Sequence, residues 1–189
     1  MSEHVRVSEV QSEVRVSIQG KGDEQSPSPS TGAKRLDIGF TGTRKGMNNT
    51  QKFFIRRFLE EIEDKRPHVE LWAHHGDCIG ADDEFDTLAI QAGFNIHLHP
   101  PTETKWRAWR TGTADIVDEE LPYRKRNQAI VDAASLLIAA PHRAEDDSAS
   151  TRSGTWMTIR MARKAGKPHV IIYPNGEVLE GRNWWKLLK

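Results

Sequence analysis

The chain has 189 residues, a length that fits one compact domain with an appendage. Its 27 Lys and Arg balance its 27 Asp and Glu, which excludes a global basic field for nucleic acid, so any polyanion site must be local. A single cysteine, Cys78, excludes an intramolecular disulfide, and no apolar run approaches the ~20 residues that span a bilayer. With no secretory-type apolar stretch following Ser2, Glu3 and His4, the expected compartment is the cytoplasm, with no membrane partner.

Residues 1–34 are expected to form a flexible N-terminal segment. Ser26, Pro27, Ser28, Pro29 and Ser30 offer too little apolar surface to offset their ordering entropy. Upstream, Val5, Val7, Val10, Val14, Val16 and Ile18 partly alternate, which fits a short edge strand, a partner-binding hairpin or a flexible tail.

A folded domain is expected over residues 35–189. Leu36, Ile38 and Phe40 alternate into Thr41, Gly42 and Thr43, as a strand entering a glycine turn does. Thr50 is the expected cap of a helix whose buried face carries Phe54, Ile55, Phe58, Leu59 and Ile62. Val69, Leu71 and Ala73 mark a second strand. Phe85, Leu88, Ala89 and Ala92 mark a second helix closed by Gly93, and Phe94, Ile96 and Leu98 suit a third strand.

Between residues 100 and 120 the pattern breaks, with Trp106 and Trp109 set among Lys105, Arg107 and Arg110. This reads as a long functional loop, its tryptophans either stacking a base or anchoring the loop to the core. A helix is expected from Pro122 through Asn127 and Ile130 to Asp132, followed by a buried fourth strand over 135–140. After a polar loop carrying Glu145, Asp146 and Asp147, Ser153 caps a helix that ends at Gly166, and residues 168–173 supply a fifth strand. Trp184, Trp185, Leu187 and Leu188 are expected to pack as a closing cap. Strands alternating with helices, the last two strands almost wholly apolar, predict an α/β fold, a Rossmann-like three-layer sandwich with a mainly parallel five-stranded sheet.

In such a sheet ligands bind beyond the carboxyl ends of the strands, where backbone amides and helix N-termini converge. Thr41, Gly42, Thr43 and Arg44 combine N–H groups, hydroxyls and a guanidinium suited to anionic oxygens, although an ordinary turn has the same composition. Gly76, Asp77, Gly80 and Asp82 bracket a bend leading into a helix, with Asp82 either facing the ligand or capping that helix. Arg152, Ser153, Gly154 and Thr155 place two hydroxyls and a small backbone at a helix start beside a cation, the best anion site by chemistry. Arg126 and Asn127 begin another helix, where the amide suits a ligand hydroxyl or a loop brace. His74, His75, Cys78, His97 and His99 are expected near the ends of two strands, but their spacing fits no established zinc pattern; no metal and no cofactor is assigned.

This order of motifs, over residues 34–173, resembles the SLOG superfamily, the Rossmann-like group that holds DNA-processing protein A, the Lonely Guy phosphoribohydrolases and several small nucleotide-pocket proteins. The resemblance implies a protein that binds a nucleotide or nucleotide-derived ligand through phosphate-binding glycine turns, in a pocket that a second copy of the chain, in a homodimer or larger homo-oligomer, often completes. Lonely Guy enzymes place a catalytic glutamate where, with Gly154 and Thr155 aligned to their glycine turn, this chain has Thr158, which argues against that hydrolase mechanism. Two alternatives stay open, along with whether the protein is an enzyme at all. One is a nucleotide N-glycosidic bond hydrolase using Asp77, Asp82, Asp83 or Glu84. The other is a module binding single-stranded DNA, similar to DNA-processing protein A, through Arg107, Arg110, Arg124, Lys125 and Arg126.

Overall fold

The computed structural model describes residues 34–145 and 152–181. The expected N-terminal segment (Lys34 apart), Asp146, Asp147 and the expected cap formed by Trp184, Trp185, Leu187 and Leu188 lie outside the described residues.

The first strand, β1 (Lys34–Gly42), buries Leu36, Ile38 and Phe40 on one face, as its alternation requires. Helix α1 (Asn49–Lys65) follows, and its cap is Asn48 rather than Thr50. Asn48 Oδ1 accepts from the Gln51 N–H at 2.9 Å while Gln51 Oε1 accepts from the Asn48 N–H at 3.3 Å, a reciprocal capping box. The buried Gln51 amide also donates to the carbonyls of Pro141 and Ile172 at 3.0 and 2.9 Å, tying the helix start to two later strand ends. Strand β2 (Val69–His75), helix α2 (Ala81–Gln91) and strand β3 (Asn95–Leu98) come next, then β4 (Ile116–Val117), α3 (Tyr123–Ala133), β5 (Leu136–Ala140), α4 (Gly154–Lys164), β6 (His169–Ile172) and β7 (Val178–Gly181).

Among the described residues the sheet has seven strands, not five, in the order β4-β3-β2-β1-β5-β6-β7; β1 to β6 run parallel and β7 pairs antiparallel with β6. Both additional strands are edges. Strand β4 has two exposed residues and β7 is exposed over Val178, Leu179 and Glu180, so neither carries the burial-driven alternation that marks a strand in sequence.

Helices cover both faces. Ile55, Leu59 and Ile62 of α1 and Phe85, Leu88 and Ala89 of α2 join Ile38, Ala73, Ile96, Ile138 and Val170 in the larger core. On the opposite face Ile130 and Val131 of α3 pack with Leu137, and Trp156 and Ile159 of α4 pack with Ala139 and Ile171. Strand β5 is buried on both sides, which is why it reads as an unbroken apolar run. From β1 the chain winds outward to β2, β3 and β4, then returns to β5 on the other flank of β1. The strand order therefore reverses between β1 and β5, the place where an open α/β sheet leaves a crevice.

Candidate functional site: a cationic cavity at the β1–β5 crevice

A cavity of about 460 Å³ opens at this reversal point. Its walls are the turn after β1 (Thr41, Gly42, Thr43, Arg44, Lys45), one face of α3 (Tyr123, Arg126, Asn127, Ile130) and the start of α4 (Arg152, Ser153, Gly154, Thr155, Met157), with Phe40, Cys78 and Asp82 behind. Among the described residues four cations, Arg44, Lys45, Arg126 and Arg152, face one carboxylate, Asp82. A chain with no net charge thus concentrates positive charge at one place, and such a wall favours an anion.

The start of α4 adds to this positive field. Ser153 is the cap and its hydroxyl accepts from the Trp156 N–H at 3.3 Å. The next N–H groups, of Gly154 and Thr155, have no acceptor within the helix, and the helix dipole adds partial positive charge there. A Cβ built on Gly154 meets nothing within 4 Å, so this backbone borders open space. The Thr155 hydroxyl donates to the Gly42 carbonyl at 2.7 Å and fastens α4 to the turn after β1. Tyr123 Oη and Arg126 Nε, both on wall residues, are buried with no hydrogen-bond partner in the protein, which leaves them for a ligand or water to satisfy.

The turn from Gly76 to Asp82 supports the cavity from behind. Gly76, Asp77 and Gly80 lie outside its wall; only Cys78 and Asp82 reach it. A Cβ at position 76 would overlap the Arg126 guanidinium, so the glycine there makes room for that side chain. Gly80 has φ +87° and any Cβ on it would strike the Arg44 carbonyl, which makes it the hinge on which the turn after β1 rests. Asp82 is not the α2 cap, a place held by Gly80; its carboxylate accepts from the Gly76 N–H at 3.1 Å and lies 3.7 Å from Arg126. Burial pushes the Asp82 carboxyl up, against the pull of Arg126, His75 and the Cys78 and Gly76 N–H groups. Burial likewise pushes the Cys78 thiol up to about 11, with Asp82 adding to it, so this cysteine is not an activated nucleophile.

The segment 100–120 is an ordered loop holding two 3-10 turns and β4. Buried Asp77 clamps it, pairing with Arg107 Nε at 2.8 Å and accepting the Arg110 N–H at 2.9 Å, while Arg110 also pairs with Asp83. Neither tryptophan lines the cavity. The guanidinium of Arg44 lies 4.9 Å from the Trp106 ring centroid, and that of Arg107 lies 4.1 Å from the ring of Trp109, which is 59% exposed. Of the five cations proposed for DNA, Arg107 and Arg126 are buried and Arg110 is paired, leaving Arg124 and Lys125 at the surface. Glu145 pairs with Arg163 at 2.7 Å. Thr158 is buried, its hydroxyl donating to the Gly154 carbonyl at 3.0 Å within α4.

The histidine group divides. His75 turns to the α2 face and pairs with Asp86 at 3.0 Å, Cys78 contacts Arg126, and His74, His97 and His99 gather on the opposite face. Residues of the wall that sequence reasoning did not single out for the site are Phe40, Lys45, Tyr123, Ile130 and Met157; of these, Tyr123 and Ile130 enter because α3 docks beside the turn after β1.

Fold and crevice together define the chain as a Rossmann-like α/β protein. The molybdenum cofactor binding protein of the phototrophic bacterium Rippkaea orientalis is similar over 74% of this chain and 77% of its own, with TM-score 0.54 and 17% identity. DNA processing protein A of Streptococcus pneumoniae is similar over 72% of this chain and 50% of its own, with TM-score 0.52 and 18% identity. The Moco carrier protein of Chlamydomonas reinhardtii matches over 73% and 76%, with TM-score 0.51 and 18% identity. No protein-family model matches the sequence, and no curated protein matches it. Among the described residues no helix is long and apolar enough to cross a membrane.

Proposed function

We propose that the β1–β5 cavity binds a nucleotide or nucleotide-derived ligand by its phosphate. The observation that carries this reading is the open N-terminus of α4 at Gly154, set opposite Thr41 to Arg44 in a wall of four cations and one carboxylate. Thr43, Ser153 and Thr155 surround the phosphate position, and Asn127 and Tyr123 on α3 serve the sugar or base. The similar structures named for the molybdenum cofactor add that cofactor to the ligands worth testing. A homo-oligomer belongs to the same reading and is measured by light scattering with and without ligand.

The test is calorimetry with nucleoside mono- and diphosphates and the molybdenum cofactor. A Cβ at position 154 meets no atom of the fold within 4 Å, so the melting temperature of Gly154→Leu should match the parent while affinity falls at least 100-fold. Equal affinity in the variant removes the assignment.

Asp82 supports a second reading, N-glycosidic cleavage. Among the described residues it is the one carboxylate on the wall, and its raised pKa suits a proton donor. Free base released from a nucleotide panel, and lost in Asp82→Asn, is the expected sign; no release across the panel leaves binding alone. The burial and pairing of Arg107, Arg110 and Arg126 count against a DNA-binding surface.

A further inference from the structure

On the sheet face opposite the α1–α2 core, three imidazoles converge. His74 on β2 and His97 on β3 are register partners across the parallel pair, and His99 follows two residues on. One nitrogen from each ring lies within 4.8 Å of the other two.

Carboxylates occupy the far side of each ring. His74 Nε2 is 2.8 Å from Asp37 Oδ1, and His97 Nε2 is 2.8 Å from Asp118 Oδ1. His99 Nδ1 lies 2.8 Å from Asp118 Oδ2, off hydrogen-bond alignment but within ion-contact range. A neutral imidazole has one ring hydrogen, and at His74 and His97 a carboxylate claims it. Lone pairs then remain at His74 Nδ1 and His97 Nδ1. His99 Nε2 is 2.9 Å from His74 Nδ1, a hydrogen bond in which His99 is the donor, while His97 Nδ1 is buried with no hydrogen-bond partner. A metal ion between the rings takes the place of the shared hydrogen and also gives His97 Nδ1 a partner. Carboxylates on the distal nitrogens, fixing tautomer and ring orientation, are what metal-ligating histidines use.

We propose that His74, His97 and His99 form a binding site for one borderline divalent transition metal ion such as Zn²⁺, with Asp37 and Asp118 orienting the rings. Imidazole nitrogens select Zn²⁺, Co²⁺ or Ni²⁺ over Mg²⁺ and Ca²⁺, which take oxygen. A tetrahedral ion with bonds of about 2.0–2.1 Å holds its ligand nitrogens ~3.3 Å apart, so the His74–His99 pair has to open by only a few tenths of an ångström. Asp118, 39% exposed, and His97, 15% exposed, give the ion access from solvent, and water completes the coordination. None of the five residues lines the β1–β5 cavity, so this site stands independently of the ligand reading. Bound metal would tie β2, β3 and the segment after β4 to β1.

The test uses the untagged full chain, stripped with chelator and dialysed against Zn²⁺ or Co²⁺. Expected are one ion per chain by elemental analysis, visible Co²⁺ absorption of tetrahedral strength, and a higher melting temperature with metal. Asp118→Asn should weaken affinity by ~10–100-fold, and His97→Ala should abolish stoichiometric uptake. His68→Ala, at an exposed histidine, should change nothing. Sub-stoichiometric uptake overturns the site, as does uptake unaltered in His97→Ala or equally reduced in His68→Ala. If circular dichroism shows His97→Ala unfolded, Asp118→Asn decides, and unchanged affinity there also overturns it.

Discussion

At the scale of single residues, the strongest constraints sit behind the cavity. Asp77, at φ +52°, is buried with a carboxylate that takes the Arg107 guanidinium and the Arg110 N–H, while its own carbonyl takes the Ala108 N–H at 2.8 Å. Three bonds from one residue hold the 100–120 loop against the turn that supports Arg44 and Arg126. Removing one partner of a buried ion pair leaves the other charge stranded, at a cost of ~3–5 kcal/mol. Asp77→Ala should therefore lose about that much in urea unfolding, whereas Asp83→Ala, whose partner Arg110 is partly exposed, should lose under ~1 kcal/mol. Equal losses would show that the loop does not depend on Asp77.

Elements explain which parts of the site were legible in sequence. Ser153 to Thr155 and Thr41 to Arg44 are local signals: a capping hydroxyl before a helix, and a strand running into a glycine turn. Their geometry needs nothing from elsewhere in the chain. Gly76 and Gly80 gave an equally strong glycine signal, but what those glycines admit is the guanidinium of Arg126 and the backbone of Arg44, both distant in sequence. The cap of α1 shows the same limit at short range, because Asn48 and Thr50 both have capping side chains. Asn48 is chosen since Gln51 returns its bond and reaches Pro141 and Ile172. Asn48→Ala should cost ~1 kcal/mol of stability by chemical denaturation, and Thr50→Ala much less. The reverse order would reassign the cap.

For the whole molecule, buried titratable groups set the acid limit. Burial pushes His74 below its usual range and His99 down to about 3, with the neighbouring imidazoles adding to it against Asp37 and Asp118. The unfolded chain protonates these rings near 6.5, so between that pH and about 3 it binds more protons than the fold. Their contribution is thus whole above pH 6.5 and is lost as pH falls. Asp37 and Asp118 act in the same direction at lower pH: burial alone would raise them, but hydrogen bonds from His74 and His97 and nearby positive charge hold them below 3.8. Asp82, raised by burial, opposes the trend. Metal-free protein should show a urea midpoint flat from pH 8 to 6.5 and falling by pH 5, with a shallower fall in His99→Asn. A midpoint unchanged at pH 5 contradicts the neutral histidine cluster.

By itself the sequence determined the α/β class, five of the seven strands and the turns at the ends of β1 and β5, because periodicity and capping are written in neighbouring residues. The tertiary structure decided the rest. Edge strands β4 and β7 exist through pairing, not burial, and leave no apolar pattern. The positive wall arises where α3 docks beside the turn after β1, which brings Arg126 and Tyr123, 82 and 79 residues on in the chain, to the same cavity as Arg44. The capped helix start at Ser153 to Thr155 could be read in advance, whereas the convergence of His74, His97 and His99 depended on the register of two parallel strands, which no spacing along the chain encodes.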